Sequence, residues 1–408
     1  MKTDVIIIGG GAAGLCAAVR LKSENRNLTV RVLERLPRVG KKLSITGNGR
    51  CNISNKDMDI SHFHGENAEF CRCALQKYDV EFCKNFFEDI GVNYVFKEDK
   101  AYPSSLQASS VVDCLRFAAE DLGVIIHTDT KVTNIQILKN GYKVLADKLG
   151  FETKNVIIAT GLYSGGEKYG CDGSMFSLLK KAGFKTVNTT PAIVQIKTEN
   201  DITKQLKGIK INADASLKIG GKLIRKEYGE VLFCDYGLSG PPIMQISREV
   251  SRIDGDKTVT LDIMPETDYN QLVLQIAKRA KLMPERPLQE FFTGFINKRI
   301  GQVILKSAGY KLSEKAETLT QNGIKKIASK IKNMEFCVTG TTGFENSQVT
   351  AGGLDTKQFK GTTMESFEYK NLYAIGEILD IDGDCGGYNL QWAWSSAMAA
   401  ADAVLGDK

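Results

Sequence analysis

DVIIIGGGAAG, residues 4–14, decides how the rest of the chain is read. Val5 to Ile8 are four consecutive β-branched residues, which reads as a short buried strand, and three glycines follow without a gap. A helix is expected from about Ala12 to Glu24. LTVRVLER then gives a second strand ending at Glu34. This is the first βαβ half of a dinucleotide-binding fold. Gly9, Gly11 and Gly14 satisfy G-x-G-x-x-G, with Ala13 as a further small residue in the turn, and Glu34 lies twenty residues beyond Gly14. The glycines permit the tight turn, the approach of a pyrophosphate and close helix–strand packing, while a carboxylate at Glu34 can take both hydroxyls of an adenosine ribose. An acidic strand end disfavours a ribose 2′-phosphate. The motif therefore asks for the ADP half of FAD or NAD, and by itself does not choose between them.

Composition sets the outer limits. At 408 residues the chain exceeds one simple core, and 42% hydrophobic with 25% charged residues is ordinary for a globular protein. The formal net charge is +6, with Lys and Arg spread along the chain, so no nucleic-acid partner is expected. No apolar run approaches the roughly 20 residues that span a bilayer, and MKTDVIII is too short for a signal sequence. Ten cysteines without a C-x-x-C read as reduced thiols of a cytoplasmic protein. His62, His64, Cys71 and Cys73 fit no common zinc spacing, so no metal site is expected. The oligomeric state stays open.

Further along, RVGKKLSITGNGRCNISN (residues 38–55) is a glycine-rich basic loop able to line a phosphate or an oxidised ring. Residues 66–90 read as helical, with Phe70, Leu75, Phe82 and Phe86 as the core face, and 110–122 as another helix. GVIIHT, YKVLAD and NVIIATG add strands, the last ending in the small-residue turn of Thr160 and Gly161. From about Thr189 short alternating runs indicate a β-rich insert. Residues 266–333 read as helices, including LQEFFTGFINKRIGQVILKSAG and SEKAETLTQNGIKKIASKI. The expected organisation is α/β: a dinucleotide-binding domain from 1–188 and 345–408, a β-rich domain from 189–265 and 334–344, and a helical insert from 266–333.

The end of the chain favours FAD over NAD. A nicotinamide-only dehydrogenase has no need to return to the dinucleotide fold after two large inserts. In LYAIGEILDIDGDCGGYNLQWAW a strand leads to Gly376 and Glu377, whose carboxylate can bond a ribityl chain. A helix is expected from Tyr388 or Asn389, its N–H groups aimed at an electron-rich ring, with Gly386 and Gly387 clearing room.

With these blocks in view, the sequence resembles the BaiN/YhiN-like flavoproteins, a group that includes bile-acid enone reductase and aminoacetone oxidase. IIIGGGAAGL, GKKLSITGNGRCNISN, YGLSGPPIMQIS, VTAGGL and GEILDIDGDCGGYNLQWAWSSA carry the resemblance, in the family's order and over essentially the whole chain. It implies a glutathione-reductase-like FAD domain interrupted by a β-rich and a helical insert, and one non-covalent FAD. It places Gly9, Gly11 and Gly14 at the pyrophosphate, Glu34 at the ribose, Arg35 beside the adenine and the Val132 backbone against it. Lys42, Leu43 and Asn52 fall along the cofactor, and Glu377, Gly387, Asn389 and Leu390 at the ribityl chain and ring. Two departures bear on substrate: FCDYGLSGPP lacks a Thr-His pair, and LYSGGEKYGCDGSMF replaces a Gly-Ser-Tyr-Pro type segment.

The resemblance implies an NADH- or NADPH-fed reductase of an activated C=C bond in a small apolar substrate, such as a 3-oxo bile acid or steroid enone. Tyr388 is the first candidate proton donor and Tyr102 the second; the other reading of Tyr388 is a ring packed at the helix start. One alternative is an oxygen-dependent amine or aminoacetone oxidase, since no second G-x-G-x-x-G is present. Another is a flavoprotein acting on tRNA. Cys51 and Cys385 sit in cofactor blocks, where small buried cysteines suit tight packing and a redox pair is the alternative.

Overall fold

The computed structural model describes residues 1–147, 149–199 and 201–406. They divide into two compact units, Met1–Ala192 with Gly343 onward, and Ile193–Thr342.

The first unit is built on β1 (Lys2–Ile8), β2 (Val30–Leu33), β3 (Ile125–His127), β4 (Val132–Leu138), β5 (Gly141–Ala146) and β6 (Leu149–Ile158). The order β3-β2-β1-β6 is parallel throughout, and Leu372–Ala374 adds a further parallel strand on β6. The β4–β5 hairpin pairs antiparallel with the first half of β6. β6 shows why one strand serves both arrangements. Its first residues alternate buried Phe151 and Thr153 with exposed Glu152 and Lys154, as a sheet with one wet face requires. Val156, Ile157 and Ile158 are then buried outright in the parallel centre.

Helix α1 (Ala12–Glu24) follows β1 as the sequence predicts, and packs on the C-terminal helix, Tyr388–Leu405. The latter is buried on nearly all sides along residues 391–401, with alanines at 393, 397, 399, 400 and 401. A helix apolar all round belongs inside a core. Residues 66–90 are helical in two pieces, Arg72–Lys77 and Val80–Asp89, because Asp79 caps the second by accepting from the Phe82 N–H. That restart rotates the face: Cys83 and Phe87 are buried, whereas Phe82 and Phe86 are half-buried.

In the second unit, six antiparallel strands close a barrel in the order Ile196–Thr198, Gly237–Ser239, Lys222–Cys234, Lys210–Ile219, Lys257–Asp262 and Met334–Thr341. Three helices of this unit are α2 (Tyr269–Leu282), α3 (Lys298–Ala308) and α4 (Gln321–Lys332). The predicted helix over 288–309 is interrupted, Gly294 taking a positive φ of 78° and Asn297 capping α3. The one over 313–331 begins only at the Thr320 cap. The sequence separates a β-rich domain from a helical insert; here Phe233, Val259 and Phe336 of the barrel share one core with Ile276, Ile304 and Ile327 of the helices. Neither layer has an apolar core to itself, and the unit's bounds fall at 193 and 342.

Candidate functional site

At the end of β1 the motif glycines divide by what surrounds them. A side chain on Gly14 would collide with the Gly9 carbonyl oxygen, and one on Gly9 would lie 2.6 Å from the Ala159 carbonyl oxygen. Those two serve the turn and the contact with β6. Gly11 is different: a Cβ there meets no protein atom within 4 Å. It opens the space in front of the α1 N-terminus, whose first N–H groups have no intrahelical acceptor. Glu34 lies beside it, accepting from the Gly10 N–H at 2.9 Å and the Leu36 N–H at 2.8 Å. Burial pushes its carboxyl above the ordinary value despite those bonds.

Arg35 forms an ion pair with Asp172, which Lys131 also reaches at 3.2 Å. Burial opposes ionisation of Asp172, but bonds from Ser174 and the two cations outweigh it and hold the carboxyl well below its usual range. The next residue, Val132, is buried and pairs with Ala146. Asp172 thus fastens Arg35 to the start of β4.

On the other side of the glycine turn Lys42 and Glu377 pair at 2.5 Å. Ser164 joins them, contacting the Lys42 ammonium and donating to Glu377 at 2.5 Å, and the Thr350 N–H donates to the same carboxylate at 3.0 Å. Burial works against the Lys42 charge, yet Glu377 carries its pKa above the ordinary lysine value. Gly161, at φ 61°, lies next to Glu377, and the preceding Gly376 abuts Ala13 of α1. Leu43 is buried, and Thr160 donates to the Gly161 carbonyl at 3.2 Å. Four segments far apart in sequence therefore meet at the carboxyl ends of the parallel strands, where sites form in open α/β sheets.

The C-terminal helix holds this arrangement in place. Trp392 donates its indole N–H to the Gly376 carbonyl at 3.2 Å, Ser396 accepts the Gly376 N–H at 3.0 Å, and Trp394 donates to the Ile53 carbonyl at 3.0 Å. Beside Ile53, Asn52 presents a buried Oδ1 without a donor among the described residues. It faces Gly387 at the start of the helix. Gly386 and Gly387 do not clear room for a ligand with their missing side chains: a Cβ on Gly387 would strike the Ser54 carbonyl, and one on Gly386 the Tyr388 ring. Nor is the Asn389 amide free, since it binds the Gly383 N–H and carbonyl at 2.8 and 2.7 Å and ties down the loop before the helix. Gly387, Asn389 and Leu390 are half-buried at the start of that helix.

Two of the chain's three histidines converge on that loop. His64 lies 2.8 Å from Asp384, and His62 lies 3.3 Å from Asp384 and 3.1 Å from Asp57. The His62 ring stacks on Tyr388 at 4.4 Å between centroids, and Phe63 meets the same ring edge-on. Tyr388 is thus packed at the helix start, with burial first and nearby carboxylates second raising its phenol above the ordinary value. Tyr102 is raised by burial as well, though Arg50 opposes it. Cys51 is fully buried and pushed up to about 12, and burial also raises Cys385, so both thiols stay protonated. Among the described residues no group of three or more His, Cys, Asp or Glu is placed to hold a metal ion, and no helix is long and apolar enough to cross a membrane.

Residues 3–403 match the family described as HI0933-like protein Rossmann domain. The chain belongs to the HI0933-like Rossmann family. Curated relatives of this HI0933-like chain include a 3-dehydro-bile acid delta(4,6)-reductase of Clostridium scindens, 32% identical with 98% of each chain covered. They also include ribosomal RNA dihydrouridine synthases, 28% identical in Haemophilus influenzae with 98% of each covered, and 25% identical in Escherichia coli with 100% of this chain and 99% of the other covered. Among solved structures, a 3-ketosteroid-delta4-(5alpha)-dehydrogenase of Rhodococcus jostii superposes with a TM-score of 0.50 at 15% identity, covering 98% of this chain and 97% of that one. A quinol-fumarate reductase gives 0.51 at 13% identity, covering 99% and 71%. At such identities these two speak for the fold alone. The HI0933-like chain has the Rossmann-type FAD-binding fold of a flavin-dependent oxidoreductase.

Of the residues singled out from the sequence, the structure places Glu34 against the glycine turn and pairs Lys42 with Glu377. The sequence does not anticipate Ser164, Thr350, Asp172 or the histidine pair. VTAGGL held the signal for Thr350, as a polar residue in an otherwise small and apolar run. Nothing local marks the others.

Proposed function

We propose that this HI0933-like protein is an FAD-dependent reductase of a carbon–carbon double bond conjugated to a carbonyl, supplied with electrons by NADH or NADPH. Its residues fit the cofactor: Gly11 leaves open space at a helix N-terminus, Glu34 keeps carboxylate lone pairs for a ribose, and Asn52 offers a buried acceptor with no donor among the described residues. FAD, when bound, supplies hydride transfer between nicotinamide and substrate. Glu34, Arg35 and Val132 would hold the adenosine end, Lys42 and Glu377 the middle, and the backbone at Gly387–Leu390 the ring edge. The partial positive charge of the C-terminal helix favours an electron-rich ring at that end.

The reaction consumes one NAD(P)H and one proton per double bond: hydride goes to the carbon β to the carbonyl and a proton to the α carbon. The His62–Asp384–His64 cluster, in contact with Tyr388 through the His62 ring, is the proton relay of this reading. Tyr388, stacked on His62 and held protonated, is placed to donate rather than accept.

The observation that carries the class is what the relatives' names have in common. A 3-dehydro delta(4,6) bile acid and the uracil of a ribosomal RNA both present a C=C bond conjugated to a carbonyl. The bile-acid or steroid substrate is supported by the 32% identical relative. The uracil substrate is supported by the two synthases. The test is an anaerobic titration of the yellow protein with NADH and NADPH, followed by addition of a 3-oxo-4,6-dienoic steroid or of unmodified ribosomal RNA. Bleaching of the flavin band and its return with one of these acceptors is the expected result. A flavin that neither nicotinamide bleaches overturns the reading.

A further inference from the structure

The charge of the chain is not evenly shared. Residues 266–333 hold 13 Lys and Arg against 6 Asp and Glu, while the other 340 residues hold 41 against 42. Cations are spread along the sequence; their compensation by carboxylates is not. The barrel segments of the same unit, 193–265 and 334–342, are balanced at 11 against 11. The excess therefore belongs to the helices.

Most of the few acids there are already engaged. Glu285 pairs with Lys315 and Glu290 with Arg286, while Asp268 and Glu314 accept backbone N–H groups. Lys278, Lys281, Lys298, Lys306, Lys325 and Lys326 are exposed and have no carboxylate partner among the described residues. They lie on helices packed together, α4 touching both α2 and α3. α4 buries Ile324, Ile327 and Ile331 and turns Lys325 and Lys326 outward. α2 buries Leu272 and Ile276 and turns Leu274, Lys278 and Lys281 outward. The Tyr269 hydroxyl donates to the Lys325 carbonyl at 3.2 Å, which ties a 37% exposed aromatic ring to the backbone of α4.

We propose that the outward faces of α2, α3 and α4 form a docking surface for the phosphate backbone of RNA. Flexible lysines without internal partners neutralise phosphates at little desolvation cost, and Tyr269 offers a face for an unstacked base. The surface would position an RNA and contribute affinity without reading sequence. This deepens the reductase reading by taking its uracil-containing substrate, and rests on it only for the identity of the polyanion.

The test uses full-length FAD-loaded protein and fluorescently labelled, unmodified ribosomal RNA transcripts, with affinity measured from about 0.05 to about 0.3 M salt, on either side of the 0.1 M at which the Debye length is about 10 Å. The triple variant Lys278→Gln/Lys325→Gln/Lys326→Gln is compared with Lys180→Gln/Lys181→Gln/Lys185→Gln in the other unit. The helical triple is expected to weaken binding about ten-fold or more at 0.1 M salt and to flatten the log–log salt slope by about 2–3, and the control triple to do neither. Equal effects of the two triples, no effect of either, or a wild type that binds anionic phospholipid vesicles but not RNA overturns the proposal. Turnover of the small steroid dienone judges the reductase reading separately and should be the same in both triples.

Discussion

In the first unit, glycine and alanine bring backbones together around a helix buried along most of its length; in the second, a barrel and amphipathic helices share one core and leave a lysine-rich outer face. The contrast concerns where polar groups are spent. Around the C-terminal helix the two indoles, Ser396 and the Asn389 amide are bonded to loop backbone, and the Lys42 and Glu377 charges are bonded to each other. On α2–α4 only Lys332 turns back into the unit, to Asp262, while Lys278, Lys281, Lys298, Lys306, Lys325 and Lys326 have no carboxylate partner among the described residues. A preorganised ligand site needs the first arrangement, because each loop must be held before the ligand arrives. A surface that meets a polyanion in many registers is better served by the second.

The largest effects should come from the glycine turn, where the comparison can be broken outright. Gly14→Val puts branched carbons into the Gly9 carbonyl and the β6 contact, and should give an insoluble or flavin-free protein. Gly11→Ala separates ligand from fold. Its backbone φ of −83° suits any residue and its Cβ direction is empty, so the thermal midpoint of the apoprotein should stay within about 2 °C of wild type, a change under about 0.5 kcal/mol. Flavin retention on dialysis should nevertheless fall. If Gly11→Ala keeps its flavin as tightly as wild type, the open space is not where the pyrophosphate lies.

Trp394→Phe comes next. The ring volume is largely kept, but the Ile53 carbonyl loses its donor inside the core, which costs about 1–3 kcal/mol. Because Ile53 adjoins Asn52, the variant should also hold flavin more weakly, read as a faster loss of the yellow band in mild denaturant. A change of stability with unaltered flavin retention would mean that the helix anchors the fold without placing the site. In the second unit, Leu274→Gln on the outer face of α2 should shift stability by no more than about 0.5 kcal/mol, since Leu274 is already 69% exposed.

What sequence made legible follows the same division. The dinucleotide turn could be read because its requirements are local: a strand, a turn that excludes side chains, a helix start and an acid at the next strand end lie within residues 4–34. The Tyr388 helix start was readable from composition. The partners of Glu377 were not, since Ser164 lies 213 residues away, and neither were those of Asp384, with His62 322 residues away. The break before α3 was visible in principle, as Asn297 follows Gly294 and precedes a basic amphipathic run. Barrel closure was not, because alternating strands define faces but not which edges meet. The unequal compensation of charge was present in the sequence throughout, and became a surface only when the structure showed which lysines face outward.

The smallest expected effect on function concerns Asp172, and it sharpens the comparison by separating anchoring from catalysis. Its carboxyl is held below its ordinary value in the folded protein, so it binds fewer protons there than in the unfolded chain at mildly acid pH. The stability it contributes is therefore complete above the ordinary carboxylate range, and is lost as pH falls through that range toward the folded value. Asp172→Asn should cost about 1–3 kcal/mol at pH 7 and progressively less relative to wild type below about pH 4. Urea midpoints measured for the two proteins at pH 7, 5 and 3 check this. The variant also frees Arg35 and Lys131, which removes the tie between the β2 end and the start of β4. Turnover at saturating cofactor should change little, whereas the apparent affinity for FAD should fall. A gap in urea midpoint that stays constant from pH 7 to pH 3 would show that Asp172 acts through its shape and the bond it accepts from the Ser174 N–H, and not through its charge.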